Sequence, residues 1–237
     1  MKNHLLLMMG GSGTRLGADR PKQYIEVEGM PIFAYILEAY DKLDCIDTIV
    51  IVSHSSWFDY VEEWKEKLNL SKRIIITGGG TNRSESVKNG LIALEPYAEA
   101  KDSVLLHDAT HPYVDKEGTE GVIEALKEYE GATLGAYQYD TVYKITEDDV
   151  IEKVIPRQLV VSGASPEAFI YDRIYEIYCH ATDEELEKMT SAGAIALEHG
   201  IKMKVVPANL INLKITYKND MDAFKKIVKS YFFEEMK

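Results

Sequence analysis

Short apolar runs alternate with stretches of helical periodicity along most of this chain. Leu5–Met9, Thr48–Ser53 (TIVIVS), Arg73–Thr77 (RIIIT), Ser103–His107 (SVLLH) and Thr133–Tyr137 are of strand length and largely apolar. Such runs fit parallel strands covered on both faces. Between them, Ile32–Leu43, Trp57–Leu68, Ser84–Leu94 and Thr119–Tyr129 read as helices, the second with Glu and Lys on its polar face. This alternation predicts right-handed βαβ crossovers and an α/β fold, with a doubly wound, mostly parallel, Rossmann-like sheet. Ligands bind such sheets outside the carboxyl ends of the strands. The turn after Leu5–Met9, the loop after RIIIT and the loop after SVLLH all belong to that rim.

The pattern changes near Gln138. Thr141–Ile145 and Val150–Val161 are β-rich and are separated by the acidic turn Thr146–Asp149. They predict a projecting hairpin. A lone two-stranded ribbon is marginal and needs a surface to pack on, so residues 138–163 read as a β-arm inserted in one domain spanning 1–237, with a partner subunit expected against it. Helices near Phe169–Tyr178 and Asp183–His199, a strand Lys202–Pro207 and a helix Met221–Phe232 complete the expected elements.

The 237 residues suit one α/β domain, and 46% apolar content excludes a disordered chain. A net charge of −12 argues against a nucleic-acid or anionic-membrane surface. Cys45 and Cys179 are too few for a disulfide framework or a zinc knuckle. The apolar run at Leu5 is too short for a signal peptide and no stretch has membrane-spanning length. A soluble, cytoplasmic protein is expected. If an anion binds, local cations must overcome the negative field of the whole.

Cations do cluster beside glycines. The segment Leu5–Gln23 (LLLMMGGSGTRLGADRPKQ) leaves a strand through Gly10, Gly11 and Gly13 and then presents Arg15 and Lys22. Glycines allow backbone N–H groups to approach an anion closely, and the two cations add charge beside that cradle, an arrangement suited to a triphosphate. Gly11, Gly13 and Gly17 read G-x-G-x-x-x-G, one residue too long for a dinucleotide fingerprint, and Lys22 lacks the Walker context. A second cluster, Gly78–Gly90, carries Gly80, Arg83 and Ser86 into the start of a helix, with Ser84 or Ser86 as the expected first residue. A third, His107-Asp108-Ala-Thr-His111-Pro112, puts an acid just past a buried strand, where a Mg²⁺ ligand belongs. His107 is expected to orient that loop, and His111 to touch substrate or simply to make the turn. A fourth is Asn212-Leu-Lys214-Ile-Thr216. Taken singly, Lys214 and Arg157 read most simply as solvated side chains.

In order, these clusters resemble the cytidylyltransferase family that makes CDP-methylerythritol and CDP-ribitol, with matching segments from Leu5 to Asp220. The family pattern G-G-x-G-x-R-x-x-x-x-x-P-K-Q is similar to Gly10–Gln23. G-G-x-x-R-x-x-S-V-x-x-G is matched at Gly79–Gly90, D-T-x-x-K at Asp140–Lys144 and N-x-K-x-T at Asn212–Thr216. H-D-A-x-R-P is matched at His107–Pro112 except at His111.

The resemblance implies a reaction in which a polyol phosphate attacks the α-phosphorus of CTP and pyrophosphate leaves. It implies Arg15, Lys22 and Lys214 as catalytic cations on the phosphates, Gly10, Gly11, Gly13, Gly80, Arg83 and Ser86 around the nucleotide, and Asp108 holding Mg²⁺. His111, Thr141 and Arg157 fall to the acceptor, with Arg157 carried into a neighbour's site by the arm of a homodimer. Three departures bear on the acceptor: His111 in place of Arg, Ala164-Ser-Pro-Glu167 in place of Gln-Thr-Pro-Gln, and Thr190-Ser191-Ala192 in place of a segment that carries Asp. The length after Tyr178 favours ribitol 5-phosphate, with methylerythritol 4-phosphate second. The rivals are a nucleotide-sugar glycosyltransferase, which lacks its D-x-D motif here, and a non-catalytic nucleotide-binding regulator.

Overall fold

The computed structural model describes residues 1–11, 19–189, 191–208 and 212–229. In chain order the strands are β1 (Asn3–Met9), β2 (Glu26–Val27), β3 (Met30–Pro31), β4 (Thr48–Ser53), β5 (Arg73–Gly78), β6 (Ser103–Asp108), β7 (Gly131–Tyr137), β8 (Val142–Ile145), β9 (Ile151–Ile155), β10 (Val161–Ile170) and β11 (Met203–Pro207). The helices are α1 (Ile32–Asp41), α2 (Phe58–Leu68), α3 (Arg83–Leu94), α4 (Lys116–Ala125), α5 (Tyr171–His180), α6 (Asp183–Lys188), α7 (Ala192–Glu198) and α8 (Lys218–Lys229).

Seven strands form one sheet in the order β11-β7-β10-β6-β1-β4-β5. β1 pairs in parallel with both β4 and β6, and β4 with β5. The expected doubly wound, mostly parallel sheet is present. Its strands are buried on both faces because alternate residues feed two cores. Leu5, Leu7, Ile49, Ile51 and Leu105 pack with α1, α4 and α8, whereas Leu6, Val50, Val52, Val104 and Leu106 pack with α3, α5 and α7. Helix α3 approaches closely: a Cβ on Gly90 would lie 2.9 Å from Val52 Cγ2 and 3.2 Å from Leu6.

One strand was not foreseen. β10 runs antiparallel between β6 and β7, so its first residues reach the rim where the parallel strands end. The expected helix at Phe169 therefore starts at Tyr171. The expected strand Val150–Val161 also divides: Pro156, which has no N–H to donate, follows β9, a 3₁₀ turn covers Arg157–Leu159, and Val161 already belongs to the main sheet. Arg157 thus sits in the turn beyond the ribbon. Other boundaries moved for local reasons. Asn82 caps α3 through a bond from Glu85 N, so the helix opens at Arg83 and neither Ser84 nor Ser86 begins it. Thr182 and Ser191 each cap a short helix where a single one over Asp183–His199 was expected. Asp115 caps α4.

The chain leaves the sheet at Tyr137 and returns opposite it at Val161. Between these points β8 and β9 pair only with each other. Tyr139, Tyr143, Ile145, Val150, Ile151, Val154 and Leu159 are exposed there, Tyr139 at 83% and Leu159 at 80%. Among the described residues no helix is long and apolar enough to cross a membrane.

Candidate active site

Three loops meet at the carboxyl rim, and each is fixed by its own bonds. After β1, the Gln23 side chain donates to the carbonyls of Met9 (2.7 Å) and Gly11 (2.8 Å), and Tyr24 bonds Ser53 Oγ at 2.7 Å. Tyr24 also stacks on Trp57 at 4.2 Å between centroids. This clamp sets the 3₁₀ turn that carries Lys22, which is only 8% exposed. After β5, Ser86 Oγ accepts from Gly80 N (2.9 Å) and donates to the Asn82 carbonyl (2.8 Å). The same oxygen would lie 3.3 Å from a Cβ on Gly10 or on Gly79, so glycine lets the two loops touch. Arg15 and Gly13 lie outside the described residues.

The loop after β6 is held from below. His107 is fully buried, with Nε2 2.7 Å from the His111 carbonyl and Nδ1 2.8 Å from Tyr40 Oη. A carbonyl only accepts, so Nε2 carries the proton and Nδ1 receives the tyrosine hydroxyl. Burial holds the ring neutral, with its pKa pulled down to about 4. His107 orients the loop, as expected of it. The loop is tied in turn to the segment bearing Lys214 by Ile215 N bonding the Thr110 carbonyl at 2.8 Å.

Asp108 is where these elements converge. Arg83 Nη2 donates to its Oδ1 at 3.1 Å and Lys214 Nζ to its Oδ2 at 3.1 Å. Burial by itself would raise this carboxyl, but Arg83 and Lys214 outweigh it and hold the pKa down at about 2. The side chain remains 21% exposed, and Lys214 is 50% exposed. His111 stands beside it. Burial first, and then nearby positive charge including Lys214 and Lys22, pulls His111 down to about 3. Its Nε2 is buried without a hydrogen-bond partner among the described residues, and it lines a recess with Ala164, Ser165 and Asn212.

The fold therefore unites Gly10, Gly80, Arg83, Ser86, Asp108, His111 and Lys214, with Lys22 acting electrostatically on His111. Thr141 and Arg157 are elsewhere in the protomer: Thr141 is exposed at the foot of the ribbon, and Arg157 donates to the Tyr139 carbonyl. Sequence reasoning missed the clamping roles of Gln23 and Tyr24, and the ion pairing of Arg83 with Asp108.

Residues 4–230 match the IspD family, described as 2-C-methyl-D-erythritol 4-phosphate cytidylyltransferase. The chain belongs to that family. An enzyme of that name from Thermotoga neapolitana is 34% identical to it over 229 residues, covering 97% of this chain and 98% of the other. A ribitol-5-phosphate cytidylyltransferase from Streptococcus pneumoniae is 29% identical over 227 residues, 94% of this chain and 97% of the other. The crystal structure of 4-diphosphocytidyl-2C-methyl-D-erythritol synthase from Anaerococcus prevotii superposes with a TM-score of 0.80 at 26% identity, over 96% of this chain and 98% of that one. The family is one of nucleotidyltransferases, and the fold read from the sequence agrees with it.

Proposed function

We propose that this member of the cytidylyltransferase family transfers the cytidylyl group of CTP to a polyol phosphate. A phosphate oxygen of the acceptor forms a bond to the α-phosphorus, the bond from that phosphorus to the β-phosphate oxygen breaks, and pyrophosphate leaves with the electron pair. The chain supplies positioning and charge without a covalent intermediate. Lys22, Lys214 and Arg15 neutralise charge on the reacting phosphorus and leaving group, and the Gly10–Gly11 and Gly80–Ser86 loops seat the nucleotide. The observation that carries this reading is Asp108 held between Arg83 and Lys214 where the three loops meet.

Among the described residues, no group of three His, Cys, Asp or Glu side chains could hold a metal. A single carboxylate does suit Mg²⁺ that arrives with a triphosphate, since this ion keeps substrate phosphates and water as most of its ligands. Asp108 would hold it, and the ion would add charge stabilisation at the phosphates. The exposed apolar ribbon supports a homodimer in which β8 and β9 pack on a second copy and bring Arg157 to the neighbour's acceptor.

Two acceptors have specific support. The length after Tyr178 and the S. pneumoniae relative favour ribitol 5-phosphate. The family match and the T. neapolitana relative favour methylerythritol 4-phosphate. The deciding experiment is pyrophosphate release with CTP, Mg²⁺ and a panel of both acceptors and other sugar-alcohol phosphates, with product mass. Release with at least one acceptor is expected. Silence across the panel would favour a nucleotide-binding regulator.

A further inference from the structure

Glu167 is a half-buried carboxylate, its side chain 17% exposed, that the reaction set out above does not use. It lies on β10 opposite Leu106 of β6, on the sheet face shared with α3 and α7, as the packing of Phe169 two residues on requires. Its Oε1 accepts the N–H of Gly193 at 3.0 Å, and its Oε2 is 3.9 Å from Arg83 Nη2. The seat is close-fitting: a Cβ on residue 193 would fall 2.7 Å from Oε1, and glycine avoids that clash. Burial pushes the Glu167 carboxyl up, while Arg83 and the Gly193 N–H pull it down.

The Arg83 nitrogen that faces Glu167 is the one bonded to Asp108 at 3.1 Å. Arg83 therefore stands between two acids, bonded to one and near the other. A charge-assisted N–H···O bond is about 2.8 Å long, so a shift of about 1 Å would transfer the guanidinium to Glu167. Both Asp108 oxygens carry a cation, Arg83 on one and Lys214 on the other. A cation arriving with the nucleotide therefore competes with Arg83 and Lys214 for the Asp108 oxygens. The Arg83 side chain is 32% exposed, and a partly buried guanidinium is better held with a carboxylate partner than without one.

We infer that Glu167 is a positioning residue that receives the Arg83 guanidinium when Asp108 engages the metal–nucleotide. The inference rests on the reading of Asp108 as the ligand of Mg²⁺ bound with CTP. It implies that Glu167 and Arg83 are energetically coupled, and that the coupling appears when Mg²⁺ is present.

Calorimetric titration of CTP tests this with the full chain, Glu167→Gln, Arg83→Gln and the double variant, each without Mg²⁺ and at saturating Mg²⁺. Glutamine keeps an amide oxygen for the Gly193 N–H and places an uncharged NH2 donor where Oε2 faces Arg83, so it can no longer receive the guanidinium. Glu167→Gln is expected to weaken Mg²⁺-dependent CTP binding about tenfold and to change Mg²⁺-free binding by less than about twofold, a coupling within the usual range for contacting residues. In the Arg83→Gln background the same change should have less than about a twofold effect. Thermal melting checks that each variant folds. If Glu167→Gln melts far below the parent, Gly193→Ala displaces the carboxylate without removing its charge and should weaken Mg²⁺-dependent binding in the same direction. Parent-like binding of CTP with Mg²⁺ by the folded variant, or an equal loss with Arg83 absent, overturns the inference and leaves the cytidylyltransferase reading standing. A parent that binds no CTP with Mg²⁺ overturns the reading of Asp108 and the inference together.

Discussion

The two ends of the β1–β6 pair each carry an aspartate, and the two are held in opposite ways. At the entry, Asp102 accepts the backbone N–H groups of Lys2 (2.7 Å) and Glu99 (2.9 Å) and faces the buried His4 ring at 3.3 Å. Its side chain is 4% exposed. Burial opposes its ionised form, but these donors outweigh burial and lower its pKa. At the exit, Asp108 has the ends of two long side chains on its oxygens. Backbone donors cannot leave without unfolding the strand ends, whereas Lys214 and Arg83 can swing away by rotation about their side-chain bonds. Asp102 joins strands together. Asp108 is kept ionised by two side-chain partners, which suits the metal-binding role proposed for it.

Substitutions at the two ends should separate these roles. Asp108→Asn is expected to lower cytidylyl transfer roughly a thousandfold, as loss of charge organisation at a reacting phosphate can, while its melting temperature stays close to the parent's. Steady-state kinetics and thermal melts on one preparation check both halves, and a large fall in stability would erase the contrast. Lys22→Ala should lower turnover about a hundredfold or more; unchanged turnover would remove Lys22 from the mechanism. Asp102→Asn should show the reverse pattern. It leaves buried donors poorly matched, costing about 1–3 kcal/mol in urea denaturation, with turnover per folded molecule retained.

The smallest effect is in pH dependence. His107 titrates near 4 in the fold and near 6.5 when unfolded, so the unfolded chain takes up the proton first. Its contribution to stability is complete above about pH 6.5 and is lost as the pH falls toward about 4. Urea midpoints measured at pH 7.5, 6 and 5 should decline in that order, with a shallower decline in His107→Gln. An unaltered slope in that variant would assign the pH dependence to other groups.

How much of this was readable beforehand follows from what each segment must satisfy. The parallel strands were legible because burial on both faces leaves unbroken apolar runs such as TIVIVS. β10 was not, because VSGASPEAFI carries small and polar residues and shifts register between Ala164 and Glu167, which destroys any period. A glutamate inside a strand that crosses the middle of a sheet was the available signal for a site there. The meeting of three loops at one rim followed from strand order alone. The pairing of Arg83 with Asp108 did not, because residues 25 apart in the chain become neighbours only through the crossover of α3. The Gln23 clamp was hidden for a similar reason: its partners are backbone carbonyls, which no residue type advertises.

That clamp bears on the placing of charge. Lys22 takes its place from bonds that Gln23 and Tyr24 make back to Met9, Gly11 and Ser53, and these contacts do not involve the residues between Gly11 and Pro21. On the proposed reading, a charge on which turnover depends is thus placed by its two uncharged neighbours in the chain.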